Sequence, residues 1–137
     1  MCSSDLIFGI DPGWGLTVVR LALGAITGAA GYAKFAGGLG GVATALERYG
    51  IPLASVVAAL IAVQEFVGGV LLVLGLGTRV FGALFACEFV VTAFWVKFRL
   101  MSWNDGRIDV MLFTTAILLL LAGPGRAAID NRWGASR

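Results

Sequence analysis

The chain has 137 residues, 59% of them hydrophobic and 13% charged, with a net charge of +2 and no histidine. A soluble domain carries about a quarter charged residues, so these side chains cannot cover a water-facing surface, and an integral membrane protein is expected. The small, dispersed charge supplies no basic cluster for nucleic acid, and the missing imidazoles exclude histidine ligation of haem or zinc and His-based triads.

Taken in chain order, residues 1–12 read as an N-terminal tail without the Lys or Arg that opens a secretory signal. Cys2-Ser3-Ser4-Asp5-Leu6 reads as a translation of sequencing-adapter DNA, so Cys2 is assigned no function. Cys87 falls in an apolar span and forms no CxxC motif with it. Asp11-Pro12 marks a helix start, and the first span is expected over about 14–35, with Trp14 and Tyr32 at the lipid boundaries. Gly24 and Gly28 form a GxxxG followed by Gly31, a pattern that lets helices approach closely in lipid. Arg20 lies one turn before Gly24 on the same face, and Lys34 closes the span where it can snorkel outward.

A glycine cluster over 37–41 breaks the helix. Residues 42–49 then suit either a short helix at the membrane interface or a plain loop. The second span, 53–76, exceeds the roughly 20 apolar residues a crossing needs but carries Gln64 and Glu65 near its middle. Gly68 and Gly69 fall on roughly the Glu65 side. The tight turn Gly75–Arg79 predicts an antiparallel third span, 80–98, holding Glu88 with Thr92 and Trp95 on following turns. Lys97, Arg99, Trp103, Asn104, Asp105 and Arg107 mark a wet loop. The fourth span, about 108–122, starts with Asp109 and ends at Gly123-Pro124-Gly125, and a polar tail follows over 124–137. The expected fold is all-α: an antiparallel bundle of four transmembrane helices, with a short interfacial helix between the first two and both termini on one side. Lys and Arg are too evenly divided between the two sides to set orientation.

A carboxylate at mid-membrane costs roughly 2.5–3.5 kcal/mol on insertion scales, so Glu65 and Glu88 must face protein or water. Arg20 lies about 7 Å from the middle of its span at 1.5 Å per residue, within reach of an extended guanidinium, and is expected to pair with Glu65. One arginine against two carboxyls leaves a negative charge, and a proton on Glu88 is the expected remedy. Arg20, Glu65, Glu88 and Asp109 are therefore the candidate intramembrane site, with Lys34, Gln64 and Thr92 as secondary members. The other reading is that these groups only lock helix packing through interhelical hydrogen bonds, the use also expected of Gly24, Gly28, Gly68 and Gly69. No metal site is expected.

The ordered set Arg20-Leu21-Ala22-Leu23-Gly24, Lys34-Phe35, Gly50-Ile51-Pro52, Glu65-Phe66-Val67-Gly68-Gly69, Gly75 to Arg79, and Gly123-Pro124-Gly125-Arg126 with Asp130 resembles the DoxX family over about residues 14–130. The chain departs from that pattern in lacking histidine, with Gly31 in one region where the family often has it, and in having Asp109 where Glu is common. The resemblance implies a multi-pass protein of a prokaryotic cytoplasmic membrane. It also implies a redox-complex membrane subunit in quinone-linked thiosulfate or thiol oxidation, with a possible quinone ligand and a partner oxidoreductase or a second copy of itself. The alternatives are a non-catalytic membrane scaffold and a small proton-coupled transporter.

Overall fold

The computed structural model describes residues 11–98 and 102–134. Cys2, with most of the expected tail, and Arg99 and Arg137 lie outside the described residues. The elements are α1 (Gly13–Gly37), α2 (Leu39–Arg48), α3 (Ala54–Leu74), α4 (Thr78–Val90) with a π-helical continuation over Val91–Lys97, α5 (Trp103–Ala122) and a short α6 (Asp130–Gly134). Among the described residues three helices, Gly13–Gly37, Ala54–Leu74 and Thr78–Lys97, are long and apolar enough to cross a membrane. Continuous helix is what such apolar runs require, because lipid offers no partner to an unpaired backbone group. The 20-residue α5 starts at Trp103 rather than Ile108, so Arg107 and Asp109 lie within its first turns.

Contacts along the helices show that successive long helices run antiparallel. Gly24 packs at Gly69 and Val73, Gly28 at Gly69, and Gly31 at Phe66, so α1 ascends as α3 descends. Gly68 faces Phe81 and Phe85 of α4, and Gly82 of α4 packs on Ala116 and Leu120 of α5. Gly68 and Gly69 therefore serve different neighbours: Gly69 admits α1, and Gly68 admits the α4 phenylalanines. The dry core lies toward the terminal end of the bundle, where Leu23, Leu72, Phe85 and Leu119 are at most 1% exposed.

Of residues 42–49, which suited helix or loop, all but the capping Tyr49 are helical; α2 starts at Leu39, so within the glycine cluster only Gly38, at φ +84°, breaks the chain of helices. The apolar side of α2 does not face outward: Ala43 and Leu46 pack on Ala54 and Ala58 at the start of α3. This seats α2 across the end of the bundle opposite the termini.

A Cβ at Gly69 would lie 2.4 Å from the Gly28 nitrogen, whereas one at Gly28 meets nothing closer than 3.8 Å. Gly69→Ala is therefore expected to lower stability by about 1–3 kcal/mol or more through overpacking. Gly28→Ala should be neutral or slightly stabilising, since alanine is the better helix former by about 0.8–1.0 kcal/mol. Unfolding of the two variants in mild detergent checks the contrast.

Candidate functional site

Glu65, Glu88 and Asp109 converge in the half of the bundle that α2 covers. Lys34, in the last turn of α1, forms an ion pair with Glu65 of α3. Glu65 is only 6% exposed, and this pairing offsets the cost of burying it. Next to it, Gln64 Nε2 donates to Glu88 Oε2 at 2.9 Å. Glu88 lines one cavity with Glu65, Lys34 and Asp109. Lys97 Nζ donates to Asp109 Oδ1 at 2.9 Å. Two lysines thus face three carboxyls around this cavity.

The π-helical segment decides who belongs to this cluster. At 3.6 residues per turn the nine positions from Glu88 to Lys97 make about two and a half turns, so an ideal α-helix would send the two to opposite faces. The wider i→i+5 winding makes fewer turns over Val91–Lys97 and brings Lys97 round to the Glu88 side. Thr92 sits at the transition and donates its hydroxyl to the carbonyls of Glu88 and Phe89, at 3.1 and 3.3 Å. Such back-bonding competes with the ordinary helix ladder.

Glu88 lies in the wall between two cavities. One is a groove of about 570 Å³, lined mainly by apolar side chains from α2, α3 and α4, with Gln64 and Glu88 among its few polar groups. Leu84, Cys87, Val91 and Trp95 on its rim are exposed on the outer face of α4 and its continuation. The other is a cavity of about 240 Å³ beneath α2, where Lys34, Glu65, Glu88, Lys97 and Asp109 meet Tyr49. Thr92 lines both.

Arg20 is not part of this cluster, contrary to the expected pairing with Glu65. The glycine contacts set the α1–α3 register so that Gly31 lies at Phe66, which brings Lys34, not Arg20, level with Glu65. Arg20 is instead at the level of Gly75, ten residues or about 15 Å along the helix from Glu65. It is 1% exposed, and its two terminal nitrogens each donate at 2.5 Å, to the carbonyls of Pro124 and Ala127.

The closing motif is the partner of Arg20. Gly123 ends α5 at φ +90°. Gly125, at φ +77°, sits where a Cβ would fall 2.6 Å from the Thr17 nitrogen. Arg126 donates from its backbone to the Gly13 carbonyl at 3.1 Å and from its guanidinium to Asp11 at 2.6 Å. Asp130 accepts from the backbone N–H groups of Gly77 and Thr78 at 2.9 and 3.0 Å, capping α4. The segment 123–130 therefore ties the terminal ends of α1, α3 and α4 together, far from the carboxyl cluster. The Asp11 carboxyl is held below the usual aspartate range, chiefly by the Gly13 N–H it accepts at 2.7 Å and then by Arg126.

The structure thus brings together Glu65, Glu88, Asp109, Lys34, Gln64 and Thr92, and separates Arg20. Sequence reasoning missed Lys97 as the Asp109 partner and Tyr49 as part of the wall. A base and an acid flanking one short helix connection were a usable signal for the first.

Comparison with known proteins identifies the family. The DoxX family model matches residues 15–97. "Putative oxidoreductase CatD" of Bacillus subtilis (strain 168) is 34% identical over 116 residues, covering 85% of this chain and 84% of that protein. "Uncharacterized membrane protein Rv3486" of Mycobacterium tuberculosis is 34% identical over 99 residues, covering 63% of this chain and 61% of that protein. No solved structure matches the chain.

Two predictions follow from the pairings. In double-mutant cycles read by unfolding in detergent, Lys34→Met with Glu65→Gln should show a coupling of about 0.5–3 kcal/mol, while Arg20→Met with Glu65→Gln should add to within about 0.5 kcal/mol. Because the Asp11 carboxyl ionises more readily in the folded protein than in the unfolded chain, its stabilising contribution is present above the ordinary aspartate range and is lost as pH falls through its folded value. Asp11→Asn should remove that component from the acid limb of the stability profile.

Proposed function

This chain belongs to the DoxX family, and we propose that it is the membrane subunit of a redox complex in a prokaryotic cytoplasmic membrane, presenting Glu88 to a quinone seated in the groove. In this reading α5 is the fourth crossing. The observation that carries it is a carboxyl, held by Gln64, opening onto an apolar groove of about 570 Å³. That size lies within the roughly 300–1,000 Å³ of small-molecule sites, and one or two placed polar groups in an apolar lining is their usual composition. A relative named as an oxidoreductase supports the redox assignment.

Reducing a quinone takes two electrons and two protons. The chain's own residues serve the proton side. Glu88 donates or accepts a proton at the carbonyl oxygen, Gln64 fixes the orientation of Glu88, and the Lys34–Glu65 pair keeps the local charge balanced as that proton moves. Without histidine, a carboxyl is the available carrier. The electrons come from a partner oxidoreductase acting on thiosulfate or a thiol. Arg20, tied to Pro124 and Ala127, has no part in orienting the ligand.

Trp95 on the groove rim gives a direct assay. In nanodiscs, a short-chain quinone analogue should quench its fluorescence saturably, and Trp95→Phe should abolish that signal. Glu88→Leu, and Cys87→Phe as a groove-filling change, should each weaken binding about tenfold, or 1.4 kcal/mol. Quenching that stays linear, or is the same in both variants, rejects the proposal and favours a scaffold.

A further inference from the structure

The two halves of the bundle differ in a way the groove reading does not use. Along α5, Asp109 is six residues from Trp103, about 9 Å from that helix end at 1.5 Å per residue. Along α3, Glu65 is eleven residues from Ala54, about 16 Å deep. Lys34 and Lys97 each occupy the last turn of their segments. Polar groups thus step inward from the α2 end to the middle of the bundle, around a cavity of about 240 Å³. Beyond them Thr27 turns its hydroxyl back to the Leu23 and Gly24 carbonyls of its own helix. Leu23, Leu72, Phe85 and Leu119 form a buried apolar layer, and behind it the closing segment is bonded onto Arg20.

We propose that Glu88 exchanges protons with one side of the membrane only, the side of α2 and the α4–α5 connection, through the cavity lined by Lys97, Asp109, Tyr49 and the Lys34–Glu65 pair. This rests on Glu88 being the group that meets the groove ligand. The chain is then a half-channel: each proton that Glu88 gives up at the groove is replaced from the cavity, and each one it receives leaves by the same route. No bond other than O–H or N–H is made or broken. The groups facing Glu88 from each packed element are Lys34 on α1, Tyr49 just after α2, Gln64 and Glu65 on α3, Lys97 on its own helix and Asp109 on α5. Lys97 and Asp109 stand nearest the helix ends, so they are the positioning pair at the mouth. The Lys34–Glu65 pair hands over to Glu88.

The test is infrared spectroscopy of the whole protein in nanodiscs, without any ligand. A protonated-carboxyl band should be present and should vanish in Glu88→Gln. On transfer to D2O the band should shift rapidly in the wild type. It should shift about a hundredfold more slowly when Lys97→Met and Asp109→Leu are combined, the lower end of the loss for removing a positioned proton-transfer group. The paired change leaves neither charge buried alone, and Ala45→Phe, which fills the cavity from α2 without touching any charge, should slow exchange as well. Val80→Phe at the opposite end should leave it unchanged. In vesicles sorted by a C-terminal tag, an external pH step should change the band at once when α2 faces outward, and only with lumenal equilibration when the tail does. Absence of the band, undiminished exchange in both cavity variants, or equal response from both sides overturns the half-channel. Saturable analogue quenching alongside any of those results rejects the half-channel alone. One-sided exchange without saturable quenching rejects the groove assignment alone.

Discussion

The close seating of α1 on α3 is the constraint from which the rest follows. Gly69 lies against the Gly28 backbone, and Gly31 against the backbone of Phe66. Backbone-to-backbone contact at that range allows little sliding, because a shift of one residue would drive side chains into the positions the glycines leave empty. The register so fixed brings Lys34 level with Glu65 and leaves Arg20 level with Gly75. Which cation neutralises the deepest carboxylate is therefore decided by glycine packing and not by the reach of either side chain.

The same register divides the bundle by polarity. Toward the termini, apolar side chains fill the interior, and the closing segment is bound to Arg20 and Thr17 and caps α4 through Asp130. Toward α2, paired charges surround a cavity, and the apolar face of α2 packs on α3 instead of lipid. A membrane protein can hold ionised groups at depth only when they are paired or wetted; Glu65, Glu88 and Asp109 are gathered with their lysines in the α2 half, and Arg20, in the other, is bonded to backbone carbonyls. Glu88 stands at the boundary, with an apolar groove on one side of it and the polar cavity on the other. A carboxyl so situated can meet a lipid-soluble molecule and a proton source from different directions.

The π-helical stretch adds the last member. Widening the turn after Glu88 costs regular hydrogen bonding, and such segments concentrate at functional sites. Here it turns Lys97 toward Asp109 and the cavity. With regular winding, Lys97 would face away and Asp109, 7% exposed, would be left without its lysine.

Read alone, the sequence determined that this is a helical membrane protein, because apolar runs of crossing length and sparse charge admit few other structures, and its ordered motifs carried a resemblance to the DoxX family. It also marked Arg20, Glu65, Glu88 and Asp109 as the groups needing explanation, since ionisable residues inside apolar runs stand out without any knowledge of packing. It could not say which charges meet. Arg20 was assigned to Glu65 from depth measured along separate spans, and depth along a span carries no information on the register between two helices. Nor could periodicity find Lys97, because a 3.6-residue repeat presumes the regular winding that residues 91–97 abandon. Those pairings, the roof that α2 makes and the work of the closing motif are properties of helix against helix. Only the tertiary structure decided them, because interhelical contact depends on backbone approach and local winding that no single segment encodes.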